Sequence, residues 1–427
     1  MPVLATTGAM SAKGFSGYTV QAIAPNNWIA YVAPRYLAMA FDKANSLYLL
    51  GDKDTDPANA FVLKANTSGT VVWQKSITNG VGNNYGIIGG SIFATNSNVF
   101  VGGQVKSNST SFKTTMLYSL SPSAGTLQYA NQITSNLSAS SVYAINATPN
   151  GNLFFSTSYV DSGFTQQTGH LLKATASTGN IVARKNRTPS FSGATVIASD
   201  YLSNIYIQGG EAAAIVLVKM DSNFFNLWVR NFGSAATFFG GVESNGYLYA
   251  CGRDTASTSA MVVKIDGLTG AIVWARLFST AAYAYGIDVD ASDNVYVAVT
   301  ANSRPYVFCS NSNGSLIWQR SFYDGTSMVG KQVFVDTASN NFYYFVNKSA
   351  YPNYCFLSAL PTDGSLTGTY TVGPRSVVYS VSTESYGSVT YTPTSPAWAL
   401  SDGLLGPTTP SLTINNSSNT FTKATVP

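Results

Sequence analysis

Seven times along this chain a turn rich in Gly, Asn or Asp runs into a strand-forming stretch carrying an aromatic, at Tyr48, Phe100, Phe154, Tyr206, Tyr249, Tyr296 and Tyr343. These positions lie 43 to 54 residues apart. A second element keeps the same rhythm: a turn, two apolar residues, a tryptophan, then a cation two places on. It reads Trp73/Lys75, Trp228/Arg230, Trp274/Arg276 and Trp318/Arg320. Degenerate copies put Tyr129 and Ala183 (with Lys185) at the tryptophan position, and Trp28 is the first copy. A period of this length marks a repeat architecture in which one unit cannot bury both of its faces alone.

Between the two elements lies an apolar stretch such as Met261–Lys264, and before the first lies another such as Gly286–Asp290. Each unit therefore holds four short strands joined by turns that supply positive φ cheaply. Seven four-stranded antiparallel units predict an all-β, seven-bladed β-propeller. Trp28 is a fourth-strand residue that precedes the first inner strand, so the N-terminal strand is expected to complete the last blade and close the ring. A rival phase counts eight blades, with Gly364–Gly368 as an eighth end element and Gly387–Tyr391 as an eighth aromatic strand. The expected division is an N-terminal anchor over 1–20, the propeller over 21–362, and a Ser/Thr/Pro-rich C-terminal arm over 363–427. The arm is read as an extended tail that gains order from a partner, because its composition cannot form a core.

Composition narrows the chemistry. Charged residues make up 10% of the 427, and the net charge is +4, which gives no basic run for nucleic acid. One histidine and three cysteines argue against a histidine-based metal site and a disulfide framework. Met1–Gly17 lacks the apolar core of a Sec signal, and no stretch approaches the ~20 apolar residues of a membrane-spanning helix, so no membrane insertion is expected. Cys251, Cys309 and Cys355 sit in apolar runs and read as small buried hydrophobes made in a reducing cytoplasm.

No catalytic, cofactor or metal residue is assigned. Trp28, Trp73, Trp228, Trp274 and Trp318 could be sugar-stacking platforms, but their place in every repeat assigns them to packing between blades. The following cations read as stitches to a neighbouring blade or stacking partners, with a phosphate-binding ring as the alternative. Asp288, Asp290 and Asp293 read as turn capping, with a weak calcium site as the alternative, since the run lacks the spacing and glycine of an EF-hand. His170 has no nucleophile motif to pair with.

Two resemblances follow. Ile265–Trp274 is similar to the docking motif of quinoprotein dehydrogenases, which are propellers; that family's adjacent cysteines are absent, so the resemblance implies the fold and no cofactor. Thr7–Phe15 with Asn27–Ala30, and Leu360–Gly373 running into a Ser/Thr tail, resemble the ends of uncharacterised propeller proteins of tailed bacteriophages, especially those of marine and cyanobacterial hosts. In the Ser-Ala-Arg-Gly-Phe-Gly segment of phage tail proteins, Lys13 replaces the Arg and Ser16 the Gly. That resemblance implies a non-enzymatic structural component of a phage tail or tail fibre. Its termini would dock onto other virion tail proteins, its outer face would meet host-surface glycan, and it would be assembled in host cytoplasm into the virion. The alternatives are a lectin-like bacterial propeller at the cell surface and a hydrolase or lyase with its site on the rim.

Overall fold

The computed structural model describes residues 27–395, except for short segments at 34–35, 53–59, 80–85, 107–112, 134–141, 161–166, 188–194, 212–213, 235 and 349–353. It also gives the backbone of four short strands between 401 and 425. The expected anchor over 1–20, including Thr7–Phe15, lies outside the described residues.

Seven antiparallel sheets follow one another in the chain: blade 1 over 36–79, blade 2 over 86–133, blade 3 over 142–187, blade 4 over 195–231, blade 5 over 236–278, blade 6 over 282–323 and blade 7 over 328–361. Successive inner strands touch, and the inner strand of blade 7 touches that of blade 1, so the sheets form a closed ring. Blade 7 takes its fourth strand from Trp28–Ala33, paired antiparallel to Cys355–Pro361 with Trp28 opposite Ala359. The fold is the expected seven-bladed propeller, closed by its N-terminal strand. Gly364–Gly368, which also read as the end of an eighth blade, opens at the turn of blade 7. The strand that should follow it has been supplied from the other end of the chain.

One row of side chains crosses each sheet and explains both recurring elements. In blade 5 Tyr249 faces Lys264, which faces Trp274; blades 1 and 4 repeat this with Tyr48–Lys64–Trp73 and Tyr206–Lys219–Trp228. The rings pair at 6.1, 5.9 and 6.2 Å in blades 1, 4 and 5, and each lysine lies 5.0–5.6 Å over its tyrosine. Indole and ammonium then share one acceptor, a turn carbonyl of the next blade. Pro122 O takes Lys64 and Trp73, Gly267 O takes Lys219 and Trp228, and Ser312 O takes Lys264 and Trp274. Trp28 and Trp318 donate likewise to Thr67 O and Thr362 O, and the Tyr129 hydroxyl to Ala176 O. Arg230 and Arg276 stack on their own tryptophans at 5.9 and 5.5 Å, while their Nε groups donate to Gly270 O and Gly314 O of the next blade.

The indoles of Trp73, Trp228, Trp274 and Trp318 pack against a turn glycine of the neighbouring blade. An added Cβ at Gly270, Gly314 or Gly364 would stand 2.6–2.9 Å from the ring, and all three glycines have φ of 65–73°. Only glycine meets both demands. One seam reverses the arrangement. Blade 3 has Ala183 at the tryptophan position, and the turn of blade 4 facing it has Phe224 in place of glycine, at φ 69°. Phe224 is buried and packs edge-on against Phe154, the blade 3 counterpart of Tyr249. The aromatic is still present, delivered from the opposite side.

The C-terminal arm departs from the reading of a tail ordered by a partner: its described strands pair with the chain's own blades. Arg375–Val381, hairpinned with Gly368–Val372, adds to the outer strand of blade 6. Tyr386–Ser388 adds to blade 5, Thr394 exchanges two backbone hydrogen bonds with Asn231 of blade 4, and Ser401–Asp402 adds to blade 3. Pro407–Thr408 then joins blade 2, Leu412–Asn416 blade 1, and Thr420–Thr425 blade 7. The arm thus makes one full circuit, and its last strand lies against its first. Arg320 faces Val381, Arg276 faces Ser388, Lys185 faces Asp402 and Lys75 faces Asn416, so the arm advances seven residues per blade. A composition too polar for a core of its own is enough for a strand that borrows the core of each blade: Val372, Val377 and Tyr379 are fully buried.

Candidate functional site

A cavity of about 230 Å³ runs down the axis, lined by inner-strand residues of all seven blades. Six inner strands slip register at the same ladder position, three residues past the aromatic of the paired strand; in blade 4 the slip lies two residues nearer that aromatic. A bulge leaves one residue unpaired and re-aims its side chain. In blades 5, 6 and 7 the extra residues are Phe239, Tyr285 and Lys331. The strands crowd at this level: an added Cβ at Gly286 would lie 2.7 Å from Gln332 Cα. Gln332 and Gln208 accept backbone N–H groups of the next inner strand, at Met39 and Phe238, which ties blade 7 to blade 1 and blade 4 to blade 5.

The three bulged side chains belong to one cluster. Phe239 stands 5.3 Å from Tyr285 and 6.2 Å from Tyr283, and the two tyrosines are stacked at 5.7 Å. The Arg253 guanidinium covers Tyr283 at 4.3 Å and its Nη1 donates to the phenol oxygen at 2.7 Å. Lys331 Nζ lies 4.4 Å from the Tyr285 ring. Phe239 is 38% exposed and the other four are half-buried. Burial, with Tyr283 adding to it, raises the Tyr285 pKa against the pull of Arg253, so its phenol is neutral at physiological pH. The cluster offers apolar ring faces flanked by two cations. Beyond the cavity lining, Lys43 of blade 1 pairs with Asp288 of blade 6.

The residues singled out from the sequence lie elsewhere. The five tryptophans sit in the seams between blades, away from the mouth. The three aspartates are parted: Asp288 holds Lys43 and the Val335 N–H, Asp290 caps its turn through the Ser292 and Asn294 N–H groups, and Asp293 accepts from Ser244 and Asn245 of blade 5. Among the described residues no group of three or more His, Cys, Asp or Glu side chains could hold a metal ion. Cys251, Cys309 and Cys355 are buried and form no disulfide with one another, and burial pushes Cys309 up to about 12. The mouth cluster escaped the sequence reading because its members come from three repeats and meet only through the bulges. A tyrosine pair two apart (Tyr283, Tyr285), breaking the apolar inner-strand pattern, was the available signal.

His170 is buried in the third strand of blade 3, where desolvation first and the charge of Arg184 second lower its pKa to about 4. The unfolded chain would hold it near 6.5. Its neutral form therefore stabilises the fold fully above pH 6.5, and that contribution disappears as pH falls through 4. Between pH 7 and 4 the wild type should lose about 3 kcal/mol more stability than H170Q, whose side chain does not titrate. Urea unfolding midpoints at the two pH values give the comparison, and parallel losses in both proteins would refute it.

No family model and no curated protein matches the chain. Similar solved structures include a protein of unknown function from Bacteroides caccae, with 11% identity over 69% of this chain and 93% of that one, at a TM-score of 0.41. Quinohemoprotein alcohol dehydrogenase from Comamonas testosteroni shares 9% over 83% of this chain and 72% of its own, at 0.43. The endosialidase of phage phi92 shares 9% over 82% and 71%, at 0.44.

Proposed function

We propose that the protein is a non-enzymatic structural component of a bacteriophage tail or tail fibre, a rigid disc whose channel mouth contacts carbohydrate on the host surface. The observation that carries this reading is the circuit of the arm. The arm pairs with the outer edges of the chain's own blades and leaves its own outward edge for neighbouring subunits, while one face of the disc bears the Phe239–Tyr283–Tyr285 cluster. Half-exposed aromatic rings beside cations supply stacking and hydrogen-bonding surface. Docking onto neighbouring virion proteins is assigned to the N-terminal segment over 1–20 and to the outward edge of the arm. The protein would be assembled in the host cytoplasm and carried in the particle.

Mass spectrometry of purified particles should find the chain at a fixed stoichiometry to the known tail proteins. Its absence from particles would end the virion reading, and recovery in a bacterial envelope fraction would select the lectin-like alternative instead.

A further inference from the structure

We infer that the channel mouth selects acidic saccharides, with Arg253 holding a sugar carboxylate while Phe239 and Tyr285 pack on the sugar's apolar face. This deepens the carbohydrate-contact reading above and rests on it. Three observations lead there. Phe239 and Tyr285 are bulge residues on adjacent blades and both line the axial cavity, so their rings form one wall continuous with a space of about 230 Å³. Arg253 is held against that wall from the neighbouring strand by its stacking on Tyr283 and its bond to the Tyr283 hydroxyl, which presets the guanidinium before any ligand arrives. Among the described residues Arg253 is paired with no carboxylate, although its Nε is buried without a hydrogen-bond partner. A half-buried guanidinium with no carboxylate partner among the described residues, beside an aromatic wall, is complementary to a planar carboxylate on a ring with an apolar face. Lys331, over Tyr285, places a second positive charge on the same rim. A neutral sugar would use the wall and leave the guanidinium unmatched.

Calorimetric titration of the full chain with an oligogalacturonate tetramer and with neutral galactotetraose tests this. The acidic tetramer should bind at least about tenfold more tightly, the usual scale for a charge-assisted hydrogen bond. R253M should remove most of that preference, all but the share Lys331 supplies, while leaving the weaker neutral binding in place, F239A should weaken both, and R253K should retain more of the preference than R253M. R253K also separates loss of contact from loss of fold. Equal affinity for the two tetramers, or an unchanged preference in R253M, would overturn the acidic selectivity yet leave the carbohydrate reading standing. Absence of binding to either tetramer and to a broad glycan array would remove both. Acid-selective binding by a chain missing from particles would keep this inference and remove only the virion assignment.

Discussion

Ending the chain at Thr367 is expected to leave a ring that unfolds at markedly lower denaturant concentration and self-associates. The arm supplies a fifth strand to six blades and a bridge to the other, so its removal bares outer edges around the whole perimeter. Exposed strand edges are templates for pairing with other chains. The truncation also strips Val372, Val377 and Tyr379 from the core shared by blades 6 and 7. At ~1.5–3 kcal/mol for each large side chain buried, those residues alone account for about 5 kcal/mol before the cost of ordering the arm. That is a large part of the ~5–15 kcal/mol by which folded domains are stable. A shorter truncation after Pro410 removes the pairing strands of blades 1 and 7 only. It should loosen the closure strand Trp28–Ala33, which is otherwise held between Cys355–Pro361 and Thr420–Thr425. Light scattering and urea unfolding of the two truncations would check this. A monomeric 1–367 fragment with wild-type stability would mean the arm contributes nothing to the ring.

The second large effect is expected at the seam between blades 3 and 4. F224G should cost ~3–5 kcal/mol, because it removes a buried ring packed on Phe154 and nothing fills the space. A183W should also destabilise, by ~1–3 kcal/mol or more, since the indole would arrive where Phe224 already lies. Together they should recover most of the loss. A tryptophan at 183 would lie over a glycine at 224, as at the neighbouring seams, and its Nε1 could join Lys173 on Ser222 O. The glycine would also relieve the φ of 69° now imposed on a phenylalanine. The double-mutant cycle should therefore show a coupling of several kcal/mol in favour of the pair, at or above the ~0.5–3 kcal/mol usual for residues in contact. Additive losses would show that the exchange of Trp/Gly for Ala/Phe is not a packing equivalence.

Much of this architecture was legible in the chain. The aromatic from Tyr48 to Tyr343 and the tryptophan from Trp28 to Trp318 are local signals: each reports a strand position through period-two patterning and the turn before it. Their count gave seven blades, and their phase gave the closure by the N-terminal strand. The arm carried a signal that was overlooked. With the seven-residue step in hand, an apolar column stands out at Tyr379, Tyr386, Pro393, Leu400, Pro407, Ile414 and Phe421. Against a background of Ser, Thr, Pro and Asn, one such residue in seven reads as a disordered tail, because neither the helical nor the strand period is seven.

What the sequence determined by itself is everything encoded within one repeat: the four strands, their turns, and the number of copies that must share faces. Tertiary structure alone decided the contacts between repeats. Which carbonyl receives both a lysine and an indole, which bulges bring Phe239, Tyr285 and Lys331 to one rim, and where the arm runs all depend on residues about 40 or more positions apart meeting across a ring. The seven-residue step is the clearest case. It follows from the separation of adjacent outer strands, spanned by extended chain at ~3.3 Å per residue or about 23 Å per blade, a length that exists only once the ring has closed.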